Sequence, residues 1–243
     1  MYLAFLLAVV VYIVVIAISG KLRVKKLLSF YFSAEATEKI RIKRSLRGIA
    51  RGWCTLLVLF VVCLLAGISF IDLGLRPLSF DYNIWFTVIT LILCGAVFIL
   101  FLYQAVSPRH KKSEAENFGN PQKSEYSRIM DAMTPRTRKE KIVATGKSLT
   151  AGIYEEILCR GFLFYVFQMQ FPNLSIIFIV LITSLMFGVA HFYQGIQGII
   201  ITTLGGVLLG FLFMVTGSLI PSIFLHFFVN FSNVFSIKEE KVI

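Results

Sequence analysis

Charged residues are scarce in this 243-residue sequence: Asp, Glu, Lys and Arg make up 15% of it, against 57% hydrophobic residues. Its mean hydropathy is +0.81. Because soluble domains carry about 25% charged residues, this chain lacks the polar side chains needed to cover a water-exposed surface. The apolar residues also come in long runs, and about 20 apolar residues span a bilayer as a helix. The composition therefore excludes a soluble globular domain and predicts an all-α integral membrane protein.

Three familiar sequence patterns are missing as well. The four cysteines are scattered through apolar runs and form no CxxC pair, which favours packing residues over metal ligands. There is no HExxH, so nothing local in the sequence fixes a zinc site. No basic segment precedes the first apolar run, as it would in a cleaved signal peptide. We therefore interpret residues 2–19 as a retained helix.

The apolar runs predict a polytopic bundle of about seven transmembrane helices, at residues 2–19, 53–71, 84–106, 148–169, 174–192, 197–216 and 219–236. In residues 37–51, Ile42, Leu46 and Ile49 recur at helical spacing among basic residues. This pattern predicts a cytoplasmic amphipathic helix on the inner leaflet. We divide the chain into N-terminal helices with basic loops (1–147), a helical core (148–236) and a cytoplasmic tail (237–243).

The net charge of +11 is concentrated in two loops, since residues 20–52 and 107–147 hold 20 of the 24 Lys and Arg residues. Such loops lie on the cytoplasmic side and attract anionic phospholipids. We therefore predict a multi-pass protein of the cell membrane with its N-terminus outside and its C-terminus cytoplasmic. No base-stacking motif accompanies the charge, so we expect no nucleic-acid partner.

Five ionisable residues interrupt the predicted spans: Glu155, Glu156, Arg160, His191 and His226. Each costs about 2.5–3.5 kcal/mol at the centre of a membrane helix, and less near an interface. With the basic loops cytoplasmic, the topology brings all five into the cytoplasmic half of the bilayer. A structural role explains one such pair, whereas five converging groups indicate a catalytic or binding site.

Helical spacing separates these residues into groups. Glu156 and Arg160 stand at i, i+4, which predicts an ion pair. Glu155 lies about 140° from Arg160 around the helix at about 3.6 residues per turn, so it is expected to face a cavity. His226 and Asn230 also share a face, and both can donate hydrogen bonds to a developing oxyanion.

Three blocks of the sequence read EEILCR (155–160), FGVAH (187–191) and HFFVN (226–230). They resemble the EExxxR, FxxxH and HxxxN motifs of the CPBP intramembrane proteases, the family also called Abi, which includes CAAX prenyl endopeptidases and bacteriocin-processing or self-immunity proteins. The resemblance covers residues 148–236 and preserves all three motifs in order. It implies an intramembrane endopeptidase of the glutamic type.

Carried onto this chain, the resemblance implies that Glu155 is the general base that activates a water molecule and that His191 helps to hold that water. His226 and Asn230 would form the oxyanion hole. The implied supporting residues are Glu156, Arg160 and Phe187. The expected substrate is a membrane-embedded or lipidated peptide or protein, cut near the cytoplasmic leaflet, and no cofactor is expected.

Two other functions stay open at this point. Two histidines and a glutamate are also the ligand types of catalytic zinc, so a zinc-dependent membrane protease could use the same residues. This alternative is disfavoured because the histidines lie on different spans. A non-enzymatic membrane immunity or adaptor protein could retain the motifs as a binding site.

Overall fold

The computed structural model describes residues 2–31, 38–107 and 122–235, and all regular elements within these ranges are helical. The α-helices are α1 (Tyr2–Tyr31), α2 (Glu38–Ala66), α3 (Ile84–Val106), α4 (Glu125–Met133), α5 (Arg138–Glu156), α6 (Leu163–Gln170), α7 (Ile176–Ala190), α8 (Gly195–Thr216) and α9 (Leu219–Val234). A π-helical turn, Ile157–Phe162, joins α5 to α6, and a 3₁₀ turn, Phe192–Gln194, precedes α8. The all-α prediction is confirmed for the described residues.

Four helical segments are long and apolar enough to cross a membrane: Tyr2–Leu22, Glu38–Ala66, Ile84–Gln104 and Phe192–Thr216. Two further apolar helices, Ile176–Ala190 and Leu219–Val234, are shorter. Large apolar side chains are exposed on the outer helices, for example Leu65 on α2 and Trp85 on α3, as expected where lipid replaces water. The chain is a multi-pass membrane protein, but the predicted count of seven spans is not confirmed.

The first two helices are longer than the predicted spans. Helix α1 continues past residue 19, through the basic residues between positions 21 and 26, to Tyr31. Residues 38–51 are the first half of the continuous helix α2. The separate amphipathic helix is therefore not confirmed. Lys and Arg are good helix formers, so a change from apolar to basic residues does not end a helix. The predicted tail, residues 237–243, lies outside the described residues.

Side chains of the sequence TRKE (137–140) cap the start of helix α5. The hydroxyl of Thr137 accepts a hydrogen bond from the backbone N–H of Glu140 at 3.3 Å. The Glu140 carboxylate in turn accepts one from the backbone N–H of Arg136 at 2.9 Å. Glu140 also forms a 2.7 Å ion pair with Arg41 of α2. Local capping and this ion pair together fix where α5 starts and hold it against α2.

Glycines allow the helices around α5 to pack closely. A Cβ on Gly152 would lie 3.1 Å from the backbone nitrogen of Phe227, so α5 and α9 cross almost backbone to backbone. A Cβ on Gly188 of α7 would lie 1.9 Å from Oγ1 of Thr203 on α8. These approaches bring α5, α7, α8 and α9 together, which is the arrangement that small residues permit between membrane helices.

Candidate active site

The two adjacent glutamates end α5, immediately before the π-helical turn Ile157–Phe162. In that turn the backbone N–H of Leu163 donates to the carbonyl of Leu158, five residues earlier. Such turns are rare, and many occur at functional sites. The sequence predicted a transmembrane helix over 148–169, and the structure is helical through these residues with the π turn between α5 and α6. The π turn itself was not predicted, because the periodicity of apolar residues does not reveal one extra residue in a helical turn.

Glu156 is fully buried and receives two hydrogen bonds on one oxygen. Its Oε1 accepts from Nη1 of Arg160 at 2.9 Å and from Nδ1 of His226 at 2.7 Å. Arg160 is also fully buried, and its Nη2 donates to the backbone carbonyl of Gly206 on α8 at 3.0 Å. The ion pair predicted from the i, i+4 spacing is present. Its links to α8 and α9 are tertiary contacts that the spacing did not reveal.

The ring of Phe187 lies at the centre of these polar groups. The guanidinium of Arg160 stands over it, 4.6 Å from the ring centroid. The rings of His191 and His226 approach it edge-on, with centroid distances of 4.7 and 5.8 Å. Phe187 therefore positions three site residues at once, through a cation–π contact and two aromatic contacts.

Glu156, Arg160 and Phe187 form a buried polar layer. Glu155 lies outside this layer, between the two histidines. Its Oε2 is 4.0 Å from Nε2 of His191 and 3.7 Å from Nε2 of His226. The side chains of Glu155 and His191 are each 16% exposed, so neither is sealed in the core. These distances exceed a direct hydrogen bond and suit groups that act together on a small molecule between them. The predicted convergence of the carboxylate and both imidazoles is present.

Both histidines turn the same ring nitrogen toward Glu155, because their other nitrogen is already engaged. Nδ1 of His191 lies 2.9 Å from the backbone carbonyl of Phe187, which can only accept a hydrogen bond. Nδ1 of His226 faces the Glu156 carboxylate. In the neutral rings Nε2 is then an acceptor, and it becomes a donor when the ring is cationic. Each imidazole can therefore take up and return a proton at the nitrogen that faces Glu155.

Asn230 lies one helical turn after His226 on α9 and is half-buried. Its side-chain amide has no hydrogen-bond partner within the described parts of the chain. The shared face predicted for the two residues follows from the unbroken helix Leu219–Val234. The amide is thus placed beside His226 and is available to a bound molecule.

A zinc site is the alternative function predicted for the same side chains. Within the ranges that the structure describes, no group of three or more His, Cys, Asp or Glu side chains is arranged to hold a metal ion. The two imidazoles and Glu155 do converge, but at distances of 3.7 to 4.0 Å between their polar atoms.

Residues 139–232 match the Rce1-like family model, described as type II CAAX prenyl endopeptidase Rce1-like. The resemblance to the CAAX proteases is confirmed. The matched segment begins in the first turn of α5 and ends in α9, so it contains all three motifs and every residue of the site. Searches of curated proteins and of solved structures find no match. The family match points to an intramembrane endopeptidase of the CAAX type.

Proposed function

We propose that this chain is an intramembrane endopeptidase of the glutamic type, which hydrolyses a peptide bond with a water molecule activated by Glu155. The observation that carries the proposal is the approach of the Glu155 carboxylate to Nε2 of both His191 and His226, at 4.0 and 3.7 Å. A carboxylate held beside two imidazoles and partly screened from solvent suits general-base catalysis. The family match of residues 139–232 supports the same reaction class.

In this mechanism a water molecule lies between Glu155 and His191. Glu155 takes one proton from the water as its oxygen attacks the carbonyl carbon of the substrate. The negative charge that develops on the carbonyl oxygen is stabilised by Nε2–H of the cationic His226 ring and by the amide N–H of Asn230. The carbon–nitrogen bond then breaks, and the proton held by Glu155 passes to the leaving amine.

The buried layer positions these groups without touching the substrate. Glu156 binds Nδ1 of His226 and favours the cationic ring that the oxyanion requires. Arg160 balances the charge of Glu156 and ties it to α8 through the carbonyl of Gly206. Phe187 contacts both histidine rings edge-on and holds them in position. We assign Glu156, Arg160 and Phe187 as positioning residues.

The membrane arrangement belongs to the same proposal. We infer seven crossings, with α5, the π turn and α6 forming one of them, in the cell membrane. The basic loops would face the cytoplasm and contact anionic phospholipids, leaving the N-terminus outside and the C-terminus inside. The site then lies near the cytoplasmic leaflet, where a membrane-embedded or lipidated peptide or protein can reach it. Residues 148–236 would form the catalytic core, and no cofactor or nucleic acid would take part.

The test is cleavage of a library of membrane-anchored and lipidated peptides by the protein reconstituted in liposomes, with products mapped by mass spectrometry. We expect Glu155→Gln to lower the cleavage rate by about 10³-fold, because the base is lost. The matched control is Glu125→Gln, which alters an exposed carboxylate on α4 and should cleave at the wild-type rate. Cleavage by Glu155→Gln at the wild-type rate would overturn the assignment of Glu155 as the base, whereas no cleavage of any peptide by the wild-type protein would favour a non-enzymatic role.

Chelation separates the glutamic mechanism from the zinc alternative. The two imidazoles present Nε2 while Nδ1 is held by a carbonyl or a carboxylate, which is also how zinc-binding histidines are oriented. We expect cleavage to continue after exhaustive treatment with 1,10-phenanthroline. Loss of cleavage that added Zn²⁺ restores would instead assign the same residues to a zinc site.

A further inference from the structure

The loop between α2 and α3, residues 67–83, reaches into one end of the helix bundle. Leu73 and Gly74 in the middle of this loop are buried, and Leu73 is only 2% exposed. Backbone N–H and C=O groups that are buried without a partner are costly, so a buried loop needs hydrogen-bond partners for its main chain. The α2–α3 loop finds such partners at the turn between α8 and α9.

Hydrogen bonds tie the α2–α3 loop to the turn between α8 and α9. Some join backbone groups of the two segments, and the others join a side chain of one segment to a backbone carbonyl of the other. They run from the N–H of Ser79 to the carbonyl of Thr216 (2.8 Å), from the N–H of Leu219 to the carbonyl of Gly74 (2.9 Å), from Nε of Arg76 to the carbonyl of Gly217 (2.8 Å), and from the hydroxyl of Ser218 to the carbonyl of Arg76 (2.6 Å). The loop therefore fixes the start of α9, the helix that carries His226 and Asn230.

The same loop packs against the π turn of the candidate active site. A Cβ on Gly161, in that turn, would lie 2.9 Å from the backbone carbonyl oxygen of Leu73 and 3.3 Å from Cδ1 of Leu219. Gly161 directly follows Arg160, which is paired with Glu156. This close approach requires a glycine, because a side chain at position 161 would push the loop away. The loop and the first residue of α9 therefore both lie against the π turn, next to Arg160.

Gly74 allows the loop to enter this space. Its φ is +83°, in the region that favours glycine, and a Cβ here would overlap with the ring of Phe213 on α8. Phe213 in turn meets the ring of Phe164 edge-on, with a centroid distance of 5.3 Å. Phe164 lies in the first turn of α6, directly after the π turn. The loop thus contacts the π turn at Gly161 and reaches the helix that follows it through Phe213.

The α2–α3 loop joins two elements whose relative position decides the geometry of the site. One is the π turn, which carries Arg160 and directly follows Glu155 and Glu156. The other is α9, which carries His226 about two helical turns after Leu219. The two elements meet in the 2.7 Å contact between Oε1 of Glu156 and Nδ1 of His226. A shift of the loop would change this contact and, with it, the distance from Glu155 to Nε2 of His226.

We propose that the α2–α3 loop is a positioning element for catalysis, which holds the π turn and the start of α9 at the separation that the active site requires. The proposal rests on the proposed function, and it adds Leu73, Gly74 and Gly161 as positioning residues outside the three motifs. A loop that served folding alone would change the amount of folded protein. A positioning element changes the kcat of the folded protein, because a misplacement of about 1 Å can lower a rate by about 10²-fold.

The test compares Gly74→Ala with Gly67→Ala in liposomes, with one peptide that the wild-type protein cleaves in the library assay. Both glycines belong to the α2–α3 loop and have a positive φ, +83° and +67°, so both substitutions strain the backbone. Only the Cβ at position 74 meets other atoms, since nothing lies within 4 Å of a Cβ at position 67. We expect the kcat of folded Gly74→Ala to fall by about 10- to 100-fold with an unchanged KM, whereas Gly67→Ala retains the wild-type kcat.

Hydrogen exchange gives a second measurement, made on the π turn itself. The backbone N–H of Leu163 donates to the carbonyl of Leu158 in that turn, so its exchange rate reports how firmly the turn is held. We expect the amides of residues 157–163 to exchange faster in Gly74→Ala than in the wild-type protein. In Gly67→Ala they should exchange at the wild-type rate.

Arg76→Gln is a milder variant that keeps the test decisive if Gly74→Ala does not fold. It removes the hydrogen bond from an exposed side chain to the carbonyl of Gly217 and adds no Cβ to a crowded position. We expect it to lower kcat and to speed exchange in the π turn, both by less than Gly74→Ala does.

Several results would overturn this proposal. One is the wild-type kcat in both Gly74→Ala and Arg76→Gln, including the case in which the π turn exchanges faster, since the loop would then hold the turn without positioning catalytic groups. Another is an equal loss of kcat in Gly74→Ala and Gly67→Ala, which would indicate backbone strain. A raised KM with an unchanged kcat would assign the loop to substrate binding. Failure of the proposed function is a separate result, because the wild-type protein would then cleave no peptide.

Discussion

The two sides of the polar layer contain neighbouring carboxylates with different surroundings. On the closed side, Glu156 is fully buried and bound to Arg160 and His226. On the open side, Glu155 is 16% exposed and stands 3.7 to 4.0 Å from two imidazole nitrogens. On the closed side, Oε1 of Glu156 is bound by protein atoms, while Oε2 of Glu156 and Nε of Arg160 are buried without a hydrogen-bond partner among the described residues. The open side leaves three polar atoms facing a common space. One side therefore organises the site, and the other is available for chemistry.

Adjacent, chemically identical residues should therefore respond differently to substitution. Changes on the closed side should lower the free energy of unfolding, because they leave a buried charge without its partner. Changes on the open side should lower the reaction rate and leave stability almost unchanged. Variants on each side test that division.

Arg160→Met should have the largest effect on stability. It removes the cation that neutralises Glu156 in a fully buried position, and breaking a buried pair in this way costs about 3–5 kcal/mol. The measurement is the free energy of unfolding in detergent micelles. Glu155→Gln is the matched variant on the open side and should change that free energy by less than about 1 kcal/mol. Equal losses in the two variants would remove the distinction between the sides.

Asn230→Ala should lower kcat by about 10²–10³-fold, the usual consequence of removing one oxyanion donor. The free energy of unfolding should hardly change, because the Asn230 amide has no hydrogen-bond partner within the described residues. The control is Asn233→Ala, which alters an exposed asparagine three residues later on α9. An undiminished kcat in Asn230→Ala would mean that His226 stabilises the oxyanion without this amide.

Gly206→Ala should destabilise the closed side by about 1–3 kcal/mol, the usual cost of overpacking. The added Cβ would lie 3.0 Å from Nη2 of Arg160 and 3.1 Å from Cβ of Ser184. The neighbouring control is Gly205→Ala, whose Cβ meets nothing within 4 Å, so it should be neutral or slightly stabilising. The measurement is the melting temperature of both variants. Identical melting temperatures would show that the Arg160 contact on α8 is not tight.

The sequence was sufficient to predict how the site converges. Loop charges set the topology, and helical spacing then brought Glu155, His191 and His226 to one level and paired Glu156 with Arg160. These predictions depend only on helix geometry and on the cost of charge in a membrane. The structure agrees with the convergence of Glu155, His191 and His226 and with the pairing of Glu156 and Arg160. The orientation in the membrane that the loop charges indicate stays a prediction. The catalytic roles of these residues remain predictions until activity is measured.

Other features could not be predicted because they depend on tertiary contacts or on small backbone changes. The bond between Glu156 and His226 joins residues 70 positions apart, and the Gly206 carbonyl accepts from Arg160 across two helices. The π turn at Ile157–Phe162 leaves no mark on apolar periodicity. The lengths of α1 and α2 were underestimated because hydropathy marks where apolar residues end, whereas basic residues can continue the helix.

Oxygen transfer in a single turnover tests the role of Glu155 most directly. The reconstituted protein, in excess over a cleavable peptide, would react in H₂¹⁸O, and both the product and the protein would be analysed by mass spectrometry. If Glu155 activates a water molecule, the new C-terminal carboxylate of the product carries one ¹⁸O, and the peptide containing Glu155 carries none. Unlabelled product together with ¹⁸O in the Glu155 carboxylate would contradict the account, because it would show direct attack by Glu155 through an acyl intermediate.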